Sequence, residues 1–194
     1  AIRNKPGAWL TVRASWLGCL LVTVGFVGFS SVRMLAEQLN IEGVQLVQQG
    51  KAVEAASRFA AALAIKADLA PAHSNLGIVR LNQNDPQTAA RHFSAALSID
   101  PNSAELHHDL GRALAADARI AEAAEQFGRA VQLNPNSSVT HFSLATLLLK
   151  LGRPAEAVTH YETALNLGLN LPGLRESLEI ARQAAAQSRS ERAP

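Results

Sequence analysis

The apolar and small residues of this chain return on a fixed count. Gly43, Gly77, Gly111 and Ala145 stand 34 residues apart, and twelve residues after each come Ala55, Ala89, Ala123 and Ala157. Phe59, Phe93, Phe127 and Tyr161 follow four residues later, and Ala62, Ala96, Ala130 and Ala164 three beyond those. Pro101 and Pro135 form a further column, which Ala67 and Leu169 occupy in the first and fourth copies. The period predicts helix–turn–helix units over Ala36–Leu69, Ala70–Ser103, Ala104–Ser137 and Ser138–Leu171. One such unit cannot bury its own apolar face, so the units are expected to stack. Gly50, Asn84 and Gly152 fall at the turns inside the units, where a left-handed residue is wanted, and Ala118 is the exception. Pro86 and Pro154 are placed for the first turn of the following helix, where the missing N–H does no harm. After Leu171, Pro172-Gly173 restarts a helix with Leu174, Leu178, Ala181 and Ala185 on one face. That segment, residues 172–187, is expected to cap the stack, leaving residues 188–194 as a frayed tail.

The repeats are preceded by a different pattern. Ala14 to Val32 is a run of 19 uncharged residues, about 28 Å long if helical, which is enough to cross a bilayer. A transmembrane helix is therefore expected over residues 14–35, after a cationic segment over residues 1–13. A secretory signal is the rival reading, with Gly28 and Ser30 small enough to flank a cleavage point. Gly18, Gly25 and Gly28 lie near one face of the span, where they would let a neighbouring transmembrane helix approach. The expected fold class is thus all-α: a single transmembrane helix, then a solenoid of four hairpins and a capping helix.

Charge changes the picture in one respect. The net charge is +2, yet Arg3, Lys5, Arg13 and Arg33 belong to the first 35 residues, which hold no acid, leaving 14 basic and 16 acidic residues in the remainder. A mildly acidic array without a cationic stripe argues against a nucleic-acid partner. The cationic flank puts the N-terminus of a single-pass inner-membrane protein in the cytoplasm and its repeats in the periplasm. The lone Cys19 forms no internal disulfide.

A 34-residue period with small, small, aromatic and small residues in these columns resembles the tetratricopeptide repeat. Glycine and alanine let two antiparallel helices approach closely, and the aromatic is expected to fill the space between adjacent hairpins. The sequence departs from the family where it expects bulky residues. Leu39, His73, His107 and His141 occupy one such column, and Leu46, Arg80, Leu114 and Leu148 another. Arg80 is expected to lie along its helix or to meet Asp109. In the family, first-helix residues around the glycine column line a concave groove. The resemblance implies Asn40, Val44 and Val47; Ser74, Ile78 and Leu81; His108, Arg112 and Ala115; and Phe142, Thr146 and Leu149 for that role here, with Val47 and Leu81 equally readable as packing residues. The family's carboxylate-gripping version uses lysines, an arginine and asparagines. Only Arg112 resembles that set, with Lys150 nearby, so the groove reads as apolar and suited to an amphipathic or apolar peptide segment.

Catalysis has no visible carrier, since no phosphate loop, nucleophile elbow or paired carboxylate with a base is present. His73, His107 and His141 recur at the repeat period, about 10 Å apart, so that column cannot converge on one metal ion. His92 and His160 are equivalent to each other in the same way. No catalytic residue, metal ligand or cofactor is expected. The resemblance implies a membrane-anchored scaffold for protein–protein interaction, an accessory subunit or assembly factor of a bacterial membrane complex, whose partners are membrane proteins and the lipid bilayer. Respiratory, photosynthetic, secretion and cytochrome-maturation complexes are the candidates. The alternative is an anchored peptide-binding adaptor or chaperone, stoichiometric with no complex.

Overall fold

The computed structural model describes residues 32–190, and the chain divides into two compact units between Ala67 and Asp68. Among the described residues there are nine helices and no strand. The first unit holds α1, residues 32–48, and α2, Ala52–Ile65. The second holds α3 (Ala70–Asn82), α4 (Pro86–Ile99), α5 (Ala104–Ala116), α6 (Ile120–Leu133), α7 (Ser138–Lys150), α8 (Pro154–Asn166) and α9 (Leu174–Ser190). Within the second unit each helix packs on the next, and α3 also touches α5 as α7 touches α9. That is an α-solenoid built from three hairpins and a closing helix.

Local chemistry sets the helix ends. Pro86 and Pro154 open α4 and α8, and the Asp85 carboxylate and the Ser103 and Ser137 hydroxyls accept hydrogen bonds from backbone N–H groups of the first turns of α4, α5 and α7. Each intrahairpin turn uses one left-handed residue: Gly50 at φ 76°, Asn84 at 60°, Ala118 at 59° and Gly152 at 70°. The turn imposes this conformation whatever residue stands there. Ala118 therefore carries the strain that its glycine counterparts avoid.

Glycine and the aromatic meet inside one hairpin. A Cβ added at Gly43 would lie 2.4 Å from Phe59, at Gly77 2.8 Å from Phe93, and at Gly111 2.9 Å from Phe127. All three rings are buried, so each lies directly on the backbone of its own partner helix. This refines the expectation that the aromatics fill the space between hairpins. In the second unit Phe93, Phe127 and Tyr161 also join one apolar core that runs from Ala89 to Ala181. The cap contributes Leu174, Leu178 and Ala181 to that core, and α9 continues helical through Ser190, past the expected start of a tail.

The N-terminal expectation requires correction. Among the described residues no helix is long and apolar enough to cross a membrane. Residues 32–35, the described part of the expected span, belong to a helix described over residues 32–48, in which Arg33 pairs with Glu37 at 2.9 Å and Glu42 follows. Most of the other helices have 13 or 14 residues, while the 17 residues of α9 include five charges. Among the described residues the fold class is an all-α solenoid with no membrane-crossing helix, which leaves the single-pass inner-membrane placement without support. Residues 14–31, with Gly18, Gly25 and Gly28, lie outside the described residues.

Two stability measurements test this account. Gly77→Ala gains about 1 kcal/mol in helix propensity but drives a methyl into a fully buried ring, an overpacking cost of about 1–3 kcal/mol. Urea unfolding should show net destabilisation, relieved when Phe93→Leu is added. Ala118→Gly, which removes left-handed strain at an exposed turn, should stabilise the chain by about 0.5–1 kcal/mol. A lower midpoint for that variant would contradict the strain argument.

Candidate functional site

Successive first helices α3, α5 and α7 bring a shallow cavity of about 380 Å³ to one face of the second unit. Leu81, Arg112, Ala115, Phe127, Phe142 and Thr146 line it, together with Ala116, Ser143 and Leu147. Phe142 is held from below by Tyr161, with ring centroids 5.8 Å apart. The Thr146 hydroxyl donates to the Phe142 carbonyl at 2.9 Å and stands 3.1 Å from the Tyr161 hydroxyl. The cavity floor is thus tied to the core, and its rim carries one cation. Arg112 is half exposed and donates at 3.1 Å to the buried carboxylate of Asp109, which orients the guanidinium along the wall.

The expected groove residues do not all converge here. Leu81, Arg112, Ala115, Phe142 and Thr146 do, whereas Ile78 and Leu149 pack partly buried against the core. His108 lines a separate polar recess of about 230 Å³ with Glu105, Ser137 and Thr140, and its Nδ1 lies 2.9 Å from the Thr140 hydroxyl. Ser74 is partly buried on α3, and Asn40 and Val44 are partly buried on α1 of the first unit. Ser143 and Leu147 escaped sequence reasoning because each follows an expected groove position, Phe142 and Thr146, by one residue. Arg80 bonds Gln83 at 3.1 Å, with its Nε buried and unpartnered, and leaves Asp109 to Arg112.

The histidine columns behave differently from their sequence reading. Each first-helix histidine meets the second-helix residue 19 positions later: His73 with His92 at 3.2 Å, His107 with Gln126 at 2.8 Å and His141 with His160 at 2.9 Å. Polar pairs therefore bridge the two helices of each hairpin of the second unit where the family places bulky residues. The signal was available as a second 34-residue column, His92, Gln126 and His160, but the antiparallel register that joins the columns depends on the turn. Burial, and then the charge of the partner histidine, pushes the His92 and His160 imidazoles below their ordinary value of 6.5. Burial alone leads the same shift at His108.

A stack of short helical hairpins with a partly apolar cavity on one face and a fixed cation at its rim is the architecture of a helical-repeat interaction protein. The tetratricopeptide repeat model matches residues 42–104, 74–138 and 114–170, and the chain belongs to that family. Its repeats make it a protein-interaction scaffold. Solved structures share the fold. A structure of the protein MamA is 17% identical at TM-score 0.73, covering 81% of this chain and 84% of that one. Pseudomonas aeruginosa pilF is 24% identical at TM-score 0.68, covering 81% and 72%. The APC/C hetero-tetramer Cut9-Hcn1 is 24% identical at TM-score 0.65, where this chain spans 74% of itself but 29% of the other. No curated protein matches the chain in sequence.

The histidine shifts set a pH dependence. A histidine whose folded value is lowered binds its proton more readily when unfolded, so the stability it contributes is present above pH 6.5 and lost as pH falls through the lowered value. The melting temperature should fall between pH 7.5 and 5.5. In the His92→Gln/His160→Gln variant the decline should be visibly shallower, and an unchanged slope would remove these two groups as its cause.

Proposed function

We propose that this protein is a non-catalytic scaffold whose concave face between α3, α5 and α7 holds an apolar segment of a protein partner. The observation that carries the reading is the placement of Phe142 and Arg112 around one cavity. Phe142 presents a partly exposed aromatic face on a floor fixed by Tyr161 and Thr146, so burying it against a partner loses little side-chain freedom. Arg112, oriented by Asp109, offers a bidentate fork to a carboxylate at the cavity rim. The preferred segment is therefore apolar with one acidic residue beside its anchor. Membership of a family whose repeats serve protein association supports it, as does a structural neighbour that is itself part of a hetero-tetramer.

Selection from a displayed peptide library tests the reading. The wild-type chain should enrich apolar sequences that carry an acid, and Phe142→Asp should weaken the best of them by about 30-fold, the size of an interface hot spot. Arg112→Ala should relax the requirement for the acid. Equal binding by Phe142→Asp, with helical content unchanged, would exclude this face as the binding surface.

A further inference from the structure

The three equivalent polar pairs of the second unit differ at one place. His73 faces His92 and His141 faces His160, while the middle hairpin pairs His107 with Gln126. In the last hairpin the buried His141 donates from Nε2 to the carbonyl of Pro135 at 3.0 Å, which holds its ring proton there and leaves Nδ1 unprotonated, 2.9 Å from Nδ1 of His160. A metal-binding histidine is commonly held in this way, with the outer nitrogen bonded to a carbonyl and the inner one facing the ion. Two metal–nitrogen bonds of about 2.0–2.1 Å meeting at about 90–110° place their nitrogens about 2.9–3.4 Å apart. The two histidine pairs stand at 2.9 and 3.2 Å.

We propose that His141–His160 and its repeat equivalent His73–His92 are two-histidine clips for a first-row divalent transition-metal ion, each joining the two helices of one hairpin. Imidazole donors suit copper, zinc and nickel, and affinity rises to copper along the divalent series. Loading needs both Nδ1 atoms as donors. The proton held between them passes to Nε2 of His160, so it stays on the ring while both Nδ1 atoms become free to donate. Water completes the coordination.

The surroundings rank the clips. Glu156 lies near His160, and Arg153, which lines the same recess with Glu125, already pairs with Glu156 at 2.7 Å. Near His92 stand Arg80 and Arg91 against Asp85 alone. A cation is therefore held more tightly at His141–His160. Because the unfolded chain holds neither pair together, the ion stabilises the folded hairpins by mass action.

Copper(II) titrated into the metal-free full-length chain, followed by calorimetry and electron paramagnetic resonance, tests this directly. Two ions per chain with nitrogen ligation are expected, the first tighter than the second, with a rise in melting temperature. His160→Gln rebuilds the native His107–Gln126 arrangement and should lose the tighter ion. His92→Gln/His160→Gln should weaken both by roughly 10²-fold, the loss expected when a two-point attachment becomes single, and His73→Gln/His141→Gln should do the same. Absence of saturable binding by the wild type, or equal stoichiometry and affinity in either double variant, overturns the proposal and leaves the pairs as hydrogen bonds alone.

Discussion

Everything in the hairpins depends on how closely two helices approach where a phenyl ring lies on a glycine. At Gly43, Gly77 and Gly111 the space a side chain would take is filled by Phe59, Phe93 and Phe127, so interhelix distance is fixed by the ring's thickness and not by interdigitating branched residues. Alanines in the adjoining columns keep the rest of the contact equally thin. The fourth hairpin replaces the pair by Ala145 and Tyr161, and there the tyrosine hydroxyl gains a partner in Thr146. The change in one column thereby connects the core to the cavity floor beneath Phe142.

That close approach also creates the polar layer. With helices held tightly at the glycine, residues one turn earlier on the first helix face the second helix at hydrogen-bonding distance, and imidazole is long enough to bridge while remaining partly buried. A leucine there would pack without direction. Histidine instead makes a directional contact whose strength depends on protonation, and the carbonyls of Pro101 and Pro135 orient the outer nitrogens of His107 and His141. The proline column of the sequence thus has a second role in placing acceptors for the histidine column.

The expected membrane span meets a charged helix where the described residues begin. The apolar run from Ala14 to Val32 suggested a helix ending near residue 35, yet the described helix over residues 32–48 carries Arg33, Glu37 and Glu42, and it is amphipathic. Its charges are stabilised by pairing along and across the hairpin, Arg33 with Glu37 and Arg58 with Glu42, which is chemistry suited to a water-exposed helix face.

The amino-acid sequence by itself determined the repeat length, the helix pairs, the turn positions and the family, because each follows from spacing along one chain: small and aromatic residues return every 34 positions, and proline and glycine punctuate locally. It also pointed to Arg112 and Phe142. Only the tertiary structure decided that His108 turns into another recess, that Asp109 belongs to Arg112 and not to Arg80, and that histidines separated by 19 residues face each other. These depend on the rotation of one helix against the next, which a shift of a single residue in packing register would change by about 100°. No periodicity in the sequence specifies that angle; the contact between ring and glycine does.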